Sequence, residues 1–186
     1  MTEAKLNTKF ITKSCRLSYL SLLNPRKTDD GKEAYQCTVL IPKTDKDSVA
    51  KIKELIENAK KKDAGKLATG SGAIKSPLLD GDKKDEEGAF HYKDENVRGH
   101  YFLRTASTTR KPEIVDLQLE PIISPSEVYS GMWGQVSINF YGWASKTGRG
   151  IAAGLGNVRK TKDDESFAGG ARAADEFSAV DDDFLS

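Results

Sequence analysis

The sequence predicts a mainly β protein built as a small barrel of about five or six strands, with one helix and a long inserted loop. Three observations predict this fold class. Short segments alternate apolar and polar residues, only one segment has the period of a helix, and the composition beyond Lys160 is acidic and consists mainly of Gly, Ala, Asp, Glu and Ser. We therefore divide the 186 residues into a folded domain over 1–160 and a disordered acidic tail over 161–186.

Two strands are predicted before the helix. Residues 9–23 are rich in β-branched, aromatic and hydroxyl side chains and stop at Asn24-Pro25, and residues 34–42 end at Pro42. A polar turn with Asp30-Gly31 at its tip separates the two segments. The two strands are therefore expected to form a hairpin.

The helix begins near Asp45, where the hydrophobic period changes. Its apolar residues form one helical stripe, consisting of Val49, Ile52, Leu55, Ile56 and Ala59. Lys60 to Lys62 suit its C-terminal end, and Gly65 offers a stop. We expect residues 66–98 to be a long irregular loop, either a functional excursion over the surface or a locally disordered segment.

Four strands are predicted after the loop, over residues 99–107, 114–122, 132–143 and 149–160. Short connections and a single helix favour a barrel over a parallel sheet, because parallel strands need a crossover helix between most pairs. The five-stranded OB barrel carries its helix between the third and fourth strands. Since only two clear strands precede the helix here, an OB-fold-like barrel requires either a long, bent first strand or an additional strand that the pattern does not reveal.

The formal charge of +1 hides a strong asymmetry along the chain. The first 160 residues hold 27 basic and 20 acidic residues, a charge of +7, whereas the last 26 hold two basic and eight acidic residues, a charge of −6. A basic body with an acidic tail indicates nucleic acid or another anionic partner, with the tail as a competing or recruiting element.

Strand 132–143 separates two kinds of side chain. Val136, Ile138 and Phe140 form its inward face. The other face carries three aromatic residues, Trp133, Tyr141 and Trp143. Between them lie the amide and hydroxyl side chains of Gln135, Ser137 and Asn139. Such a surface suits unpaired bases, each stack contributing roughly 1 to 3 kcal/mol. In the alternative, one tryptophan plugs an end of the barrel and Tyr141 packs under the long loop.

Basic residues are interleaved with aromatic residues on the other strands as well, which is typical of a groove that holds a nucleic-acid backbone by charge and its bases by stacking. The alternation does not decide which face of strand 98–105 is buried. The candidate DNA-binding residues are Lys13, Arg16, Tyr35, Arg98, Phe102, Arg104, Arg110, Lys111, Trp133, Gln135, Asn139, Tyr141 and Trp143.

The sequence predicts no catalytic residue, metal site or cofactor. The glycines of 148–156 lack the Gly-Lys-Ser/Thr ending of a phosphate-binding loop, and the carboxylates of 78–87 lack the ligand spacing of a calcium loop. Cys15 and Cys37 are interpreted as reduced packing residues. No apolar run approaches the roughly 20 residues of a membrane span, and the N-terminus lacks the apolar core of a secretory signal, so we expect a cytoplasmic protein.

The free end of the tail is a candidate partner-binding element, formed by Asp181, Asp182, Asp183 and Phe184. The acids repel DNA and are able to occupy the protein's own basic groove, while the aromatic ring offers an anchor for a pocket on another protein. A disordered end that only improves solubility is the alternative.

Several motifs in order along the chain resemble one family. They are Tyr-Gln-Cys-Thr-Val-Leu-Ile-Pro at 35–42, Pro-Leu-Leu-Asp-Gly-Asp at 77–82, Val-Tyr-Ser-Gly-Met-Trp-Gly at 128–134, Asn-Phe-Tyr-Gly-Trp at 139–143 and Gly-Ile-Ala-Ala-Gly-Leu-Gly-Asn-Val-Arg-Lys at 150–160. The chain resembles the phage-encoded single-stranded DNA-binding proteins long catalogued as a phage domain of unknown function, and it is similar to the replication single-strand binders of short-tailed coliphages.

The resemblance implies an OB-fold that binds single-stranded DNA without sequence specificity during phage replication and recombination, in the cytoplasm of the host cell. It also implies an acidic tail that recruits replication proteins such as a polymerase, helicase or primase. One departure concerns this tail, because related tails often finish on the aromatic residue, whereas Leu185 and Ser186 follow Phe184 here. The sequence leaves open whether the protein is a homodimer, whether it also anneals strands, and whether it is instead an adaptor whose barrel binds a protein.

Overall fold

The computed structural model describes residues 5–168, which contain nine strands and two α-helices. In chain order these are β1 Lys9–Ile11, β2 Cys15–Lys27, β3 Glu33–Pro42, α1 Lys46–Lys62, α2 Ala64–Leu67, β4 Ile74–Lys75, β5 Leu78–Asp80, β6 His100–Ser107, β7 Ile114–Val115, β8 Trp133–Ser145 and β9 Gly148–Lys162. No helix within the described range is long and apolar enough to cross a membrane.

Five of the strands close into a barrel, in the order β2-β3-β6-β9-β8 and back to β2. All of these neighbours are antiparallel except β6 and β9, which run parallel where Thr105 faces Ala153. The predicted mainly β, OB-fold-like barrel with one principal helix is therefore confirmed. The helix α1 follows the second strand of the barrel, so no barrel strand was missed ahead of it.

The segment predicted as one strand over residues 9–23 is two strands. Thr12 marks the break, because its Oγ1 takes the place of its carbonyl oxygen and accepts a hydrogen bond of 3.0 Å from the Val136 amide, while the carbonyl accepts from the Gln135 side chain. The predicted stop at Asn24-Pro25 is wrong, since β2 continues to Lys27. A shift in its register against β3 between Ser21 and Arg26 accommodates Pro25, which has no amide hydrogen to donate.

The main core fills the barrel and the space under α1. The predicted inward residues of β8, Val136, Ile138 and Phe140, are buried, and the predicted helical stripe is buried against them. Asp45 caps α1 by accepting from the Ser48 amide. At the other end, Asp63 Oδ2 accepts a hydrogen bond of 2.6 Å from the Gly142 amide, which fixes the end of the helix to β8.

The predicted irregular loop over 66–98 is more ordered than expected. It contains α2 and the short strands β4 and β5, of which β4 runs parallel to β9 and β5 antiparallel to β6. Arg98 holds the rest of this inserted loop together, because its guanidinium donates to the carbonyl oxygens of Gly81 and Tyr92 and lies 3.7 Å from the centre of the Phe90 ring. These long-range contacts leave no periodic signal in the sequence.

The predicted strand over 114–122 is wrong beyond β7. The Asp116 carboxylate accepts from the amides of Gln118 and Glu120 at 2.8 and 3.0 Å and folds the chain into a turn, after which the Ile122 amide donates to the Ile114 carbonyl at 2.8 Å. The alternating Leu-Gln-Leu-Glu of this segment mimics a strand. Its leucines point into solvent instead, with Leu117 57% and Leu119 65% exposed.

The last described residues also differ from expectation. Strand β9 runs to Lys162, two residues beyond Lys160, and residues 163–168 fold back onto the barrel, where the Phe167 amide donates to the Ser130 carbonyl at 2.9 Å. The expectation of no packed structure after Lys160 is therefore wrong for residues 161–168. The candidate partner-binding residues Asp181 to Phe184 lie outside the described residues.

Both cysteines are free thiols buried in the main core. Burial raises the pKa of Cys15 to about 12, despite the hydrogen bond to Thr12, and raises the pKa of Cys37 well above its usual value. Because the thiolate is the nucleophile, we predict that the native protein at pH 8 does not react with Ellman's reagent within minutes, whereas both thiols react after denaturation. Rapid release of one equivalent of thionitrobenzoate from the native protein would contradict this prediction.

Candidate nucleic-acid interface

Two grooves lie on the outer face of the barrel. The loop groove is formed between the inserted loop and strands β2, β3 and β6, and its lining includes Tyr19, Arg26, Gln36, Thr38, Tyr92, Lys93, Asp94, Arg104 and Ala106. The hinge groove crosses β1, β8 and β9 beside the segment that follows β6, and its lining includes Lys9, Ile11, Ala106, Arg110, Ser137, Asn139, Tyr141 and Gly154. Ala106 lines both grooves, so the two grooves adjoin at this residue.

A bulge in β2 presents Tyr19 to the loop groove. The register of β2 against β3 shifts between Ser18 and Ser21, and Tyr19 has the left-handed φ of 49°, which is uncommon for an aromatic residue. Gln36 Nε2 donates to the Tyr19 carbonyl at 3.2 Å and fixes the bulge. The Tyr19 side chain is 55% exposed as a result. Backbone strain of this kind clusters at functional sites.

The opposite wall of the loop groove is Tyr92, from the inserted loop. Its ring meets the Phe102 ring edge to face, with centroids 4.9 Å apart. The pKa of Tyr19 is raised, first by burial and then by the carboxylate of Asp94, which also belongs to this wall. The groove therefore presents two phenol rings, one from the barrel and one from the loop.

The structure shows which face of the predicted strand 98–105, now β6, is buried. Leu103 and Thr105 point into the barrel, whereas Arg104 and Ala106 are exposed on the outer face. The Arg104 guanidinium lies 5.7 Å from the Tyr92 ring and 5.5 Å from the Phe102 ring, at the floor of the loop groove. Arg104 thus places a positive charge beside two aromatic rings in the loop groove.

Phe102 was predicted to contact DNA, and it borders the loop groove as a nearly buried residue. It is only 2% exposed, in a small second core with Leu40 and Val97 under the inserted loop. The alternation of β6 correctly places it on the outer face, but the loop covers it. Phe102 supports Tyr92 rather than offering its own ring to a ligand.

The hinge groove combines an aromatic ring with basic and polar groups. Tyr141 is 41% exposed. Asn139 Oδ1 accepts from the Thr8 hydroxyl at 2.9 Å, and Arg110 donates to Asn157 Oδ1 at 3.0 Å, so both predicted residues are held in fixed orientations. Lys9 lines the far wall on β1. These groups suit a ligand that carries both aromatic rings and negative charge.

Arg16 and Trp133 lie away from both grooves, beneath residues 163–168. Trp133 Nε1 donates to Asp164 at 2.7 Å, and Arg16 forms an ion pair of 3.4 Å with the same carboxylate oxygen. The hydrogen bond from Trp133 is the first cause of the lowered pKa of Asp164. The Arg16 guanidinium also lies 4.2 Å from the centre of the Phe167 ring. The described start of the tail thus covers two candidate DNA-binding residues.

Three of the other candidate DNA-binding residues contact groups within the protein itself. Lys13 pairs with Asp45 at 2.9 Å, at the start of α1. Arg98 is turned into the inserted loop, and Gln135 is held between Arg159 and the Thr12 carbonyl. None of the three lines either groove.

The remaining candidates are Tyr35, Lys111 and Trp143. Tyr35 shares the inward side of β3 with core residues and packs partly buried against them. Lys111 is exposed and lines a separate apolar depression with Leu23. Trp143 follows Tyr141 on the outer side of β8, but it does not line the hinge groove and lies beside β4, with the Lys75 ammonium 6.0 Å from its ring centre.

Four residues that line the loop groove were not among the predicted DNA-binding residues. They are Tyr19, Gln36, Thr38 and Tyr92. The alternation of β3 carries a signal for Gln36 and Thr38, because they occupy the side opposite Cys37 and Val39. No local pattern reveals Tyr19 or Tyr92, since one depends on a bulge and the other on an irregular loop. Within residues 5–168, no cluster of three or more histidines, cysteines or carboxylates is arranged to hold a metal ion.

Solved structures with this architecture include single-stranded DNA-binding proteins of phages. The single-stranded DNA-binding protein from bacteriophage Enc34 in complex with ssDNA is 26% identical, with a TM-score of 0.70 over 90% of this chain and 96% of that chain. A further structure of the Enc34 protein is 25% identical, with a TM-score of 0.66 over 95% and 96% of the two chains. The T7 protein gp2.5, at 14% identity and a TM-score of 0.59 over 92% and 94%, shares the fold.

No curated protein matches the sequence. The family model described as the ssDNA-binding protein of Enterobacter phage Enc34 matches residues 8–185, which is almost the whole chain. The protein belongs to the family of phage single-stranded DNA-binding proteins typified by that of Enterobacter phage Enc34.

Proposed function

We propose that the protein binds single-stranded DNA without sequence preference, along the path formed by the loop groove and the hinge groove. The observation that carries this proposal is the continuity of the two grooves at Ala106, with an exposed phenol ring on each side of the junction, Tyr19 on one and Tyr141 on the other. Arg104 and Arg110 border the same path. Rings and cations in alternation suit stacked bases joined by phosphates.

The available contacts also support binding that tolerates any base sequence. Stacking on a phenol ring uses the π-face that every base has, and an arginine beside the path attracts every phosphate equally. Duplex DNA keeps its bases stacked on each other, so the rings favour single strands. We further propose that the protein acts in phage replication and recombination, in the host cytoplasm, by coating DNA rather than by catalysing a reaction.

We propose that the acidic tail competes with DNA for the barrel. The contacts of residues 163–168 support this role, because the Asp164 carboxylate meets Arg16 and Trp133 as a phosphate would, and the Phe167 ring lies on the Arg16 guanidinium as a base would. Displacing these residues frees Arg16 and Trp133 to contact the strand beyond the two grooves. The tail charge of −6 against +7 on residues 1–160 favours the same competition. When DNA displaces the tail, Asp181 to Phe184 become available to recruit a replication protein.

A second candidate function is that of a protein-binding adaptor. Three large apolar residues are exposed close together in sequence after β7, Leu117 at 57%, Leu119 at 65% and Ile123 at 83%. Exposed apolar clusters mark interaction surfaces in soluble proteins. This surface lies outside both grooves, so its loss and the loss of the DNA path are separable by mutation.

The first test of DNA binding replaces Tyr141 and Arg104 separately. Tyr141→Ala removes one stack and is expected to weaken binding of labelled oligo-dT by about 5-fold to 150-fold. Arg104→Gln is expected to weaken binding. It should also reduce the slope of log affinity against log salt by about one, because one phosphate contact is lost. Fluorescence anisotropy across a salt series measures both quantities.

Ile123→Ala is the matched control, because it removes an exposed side chain outside the grooves. It should leave the DNA affinity unchanged. If the two groove variants bind oligo-dT as tightly as the unchanged chain, the proposed path is wrong. If the full chain does not bind oligo-dT at low salt at all, the adaptor function is favoured.

The second test concerns the tail. We predict that a chain ending at Lys162 binds oligo-dT more tightly than the full chain, and that the gain shrinks as salt is raised, because the competition is electrostatic. A chain ending at Ala168 keeps the contacts to Arg16 and Trp133 and separates the effect of residues 169–186 from that of 163–168. Asp164→Asn in the full chain keeps a hydrogen-bond acceptor for Trp133 but removes the charge. Equal affinities for all four chains would refute the competition.

A further inference from the structure

The ring of Tyr141 lies against bare backbone of the neighbouring strand. A Cβ atom built on Gly154 of β9 would stand 3.2 Å from Cε1 and 3.6 Å from Cδ1 of Tyr141. Gly154 pairs with Asn139 of β8 and, on its other side, with Ala106 of β6. The edge of the Tyr141 ring therefore extends over β9, toward the point where the two grooves meet.

The conformation of Gly154 does not account for its being a glycine. Its φ lies outside the left-handed range, unlike that of Gly131 at 109°, so its φ does not require a glycine. A glycine inside a strand weakens the strand, because it has no side chain to pack, and often marks a place where another group approaches closely. Here the approaching groups are the Tyr141 ring and the Asn139 carbonyl oxygen, which would be 3.1 Å from the added Cβ.

We propose that Gly154 is a positioning residue for base stacking, a role that rests on the proposed binding of single-stranded DNA. Without a side chain, it lets the Tyr141 ring lean across β9 while one face of the ring stays open to the hinge groove. A methyl group at this position would stand on the same side of the sheet as the ring, lift the ring edge and tilt its face away from a stacked base. Ala106, which lines both grooves, also has a small side chain, so no bulky group stands between the hinge groove and the loop groove at this position.

Gly150 gives an instructive contrast on the same strand. A Cβ there would lie 3.0 Å from Trp143 Nε1, but it would lie 2.8 Å from the carbonyl oxygen of Lys75. The parallel pairing of β4 with β9 at this position therefore requires glycine whatever the aromatic ring does. At Gly154 the nearest backbone atom, the Asn139 carbonyl oxygen, would be 3.1 Å from the Cβ, so the backbone is less crowded than at Gly150 and the contact with Tyr141 is the feature to test.

The test is a double-mutant cycle with Gly154→Ala and Tyr141→Ala, in which oligo-dT affinity is measured by anisotropy in the full chain. Gly154→Ala alone is expected to weaken binding by about 3-fold to 10-fold, part of the value of one stack. In the Tyr141→Ala background it should have no further effect, since no ring remains to be displaced. In the Tyr141→Phe background, which keeps a ring over Gly154, Gly154→Ala should again weaken oligo-dT binding.

A second measurement separates positioning from general damage to the groove. Gly154→Ala should leave the salt slope unchanged, because tilting a ring removes no phosphate contact. Gly65→Ala is the matched control for the substitution itself, since a Cβ at Gly65 meets nothing within 4 Å and its backbone angles are ordinary. It should leave both affinity and salt slope as they are in the unchanged chain.

The outcomes distinguish this proposal from the function on which it rests. If Gly154→Ala weakens binding equally with and without the Tyr141 ring, the glycine acts through the contact with Asn139 and the proposal is overturned. It is also overturned if Tyr141→Ala weakens binding while Gly154→Ala does not, although the proposed function then stands. If neither Tyr141→Ala nor Arg104→Gln weakens binding, the groove path itself fails.

Discussion

Closure of the barrel by β9 is the constraint on which the other features depend. This strand pairs with β8 along most of its length and lies parallel to β6, and it also receives the short strands β4 and β7. Since closure uses the strand edges, a long flexible ligand is left with the outer face of the sheet and the loops attached to it. Both grooves lie there, and Gly154 of β9 stands where they meet.

The local periodicity of the sequence predicted the elements whose burial is decided by their own side chains. The inward face of β8 and the buried stripe of α1 follow directly from alternation and helical spacing. The bulge at Tyr19 and the covering of Phe102 by the inserted loop could not be predicted in this way, because each depends on residues distant in the sequence. The strand predicted over 114–122 was wrong because the segment alternates apolar and polar residues as a strand does, whereas the hydrogen bonds of Asp116 fold it into a turn.

The candidate site shows the same division. Tyr141, Asn139, Arg104 and Arg110 were predicted and line the grooves, because charge and alternation are enough to place them on the outer face. Arg16 and Arg98 look equivalent to Arg104 in the sequence, yet one is covered by residues 163–168 and the other binds two carbonyl oxygens of the inserted loop. An arginine's role in this protein is therefore set by which acceptors the tertiary fold brings to it.

The order of the strands along the chain, with β9 after β6 and β8, also affects how the protein is made. Thr105 and Ala153, which face each other across the β6–β9 pairing, are separated by nearly 50 residues, and β2 meets β8 across more than 100. The barrel is unable to close until residue 162 has left the ribosome, so β6 and β8, once they have emerged, each keep an unpaired edge until β9 follows. Nascent chains that stall before β9 would carry those open edges and would be prone to aggregate.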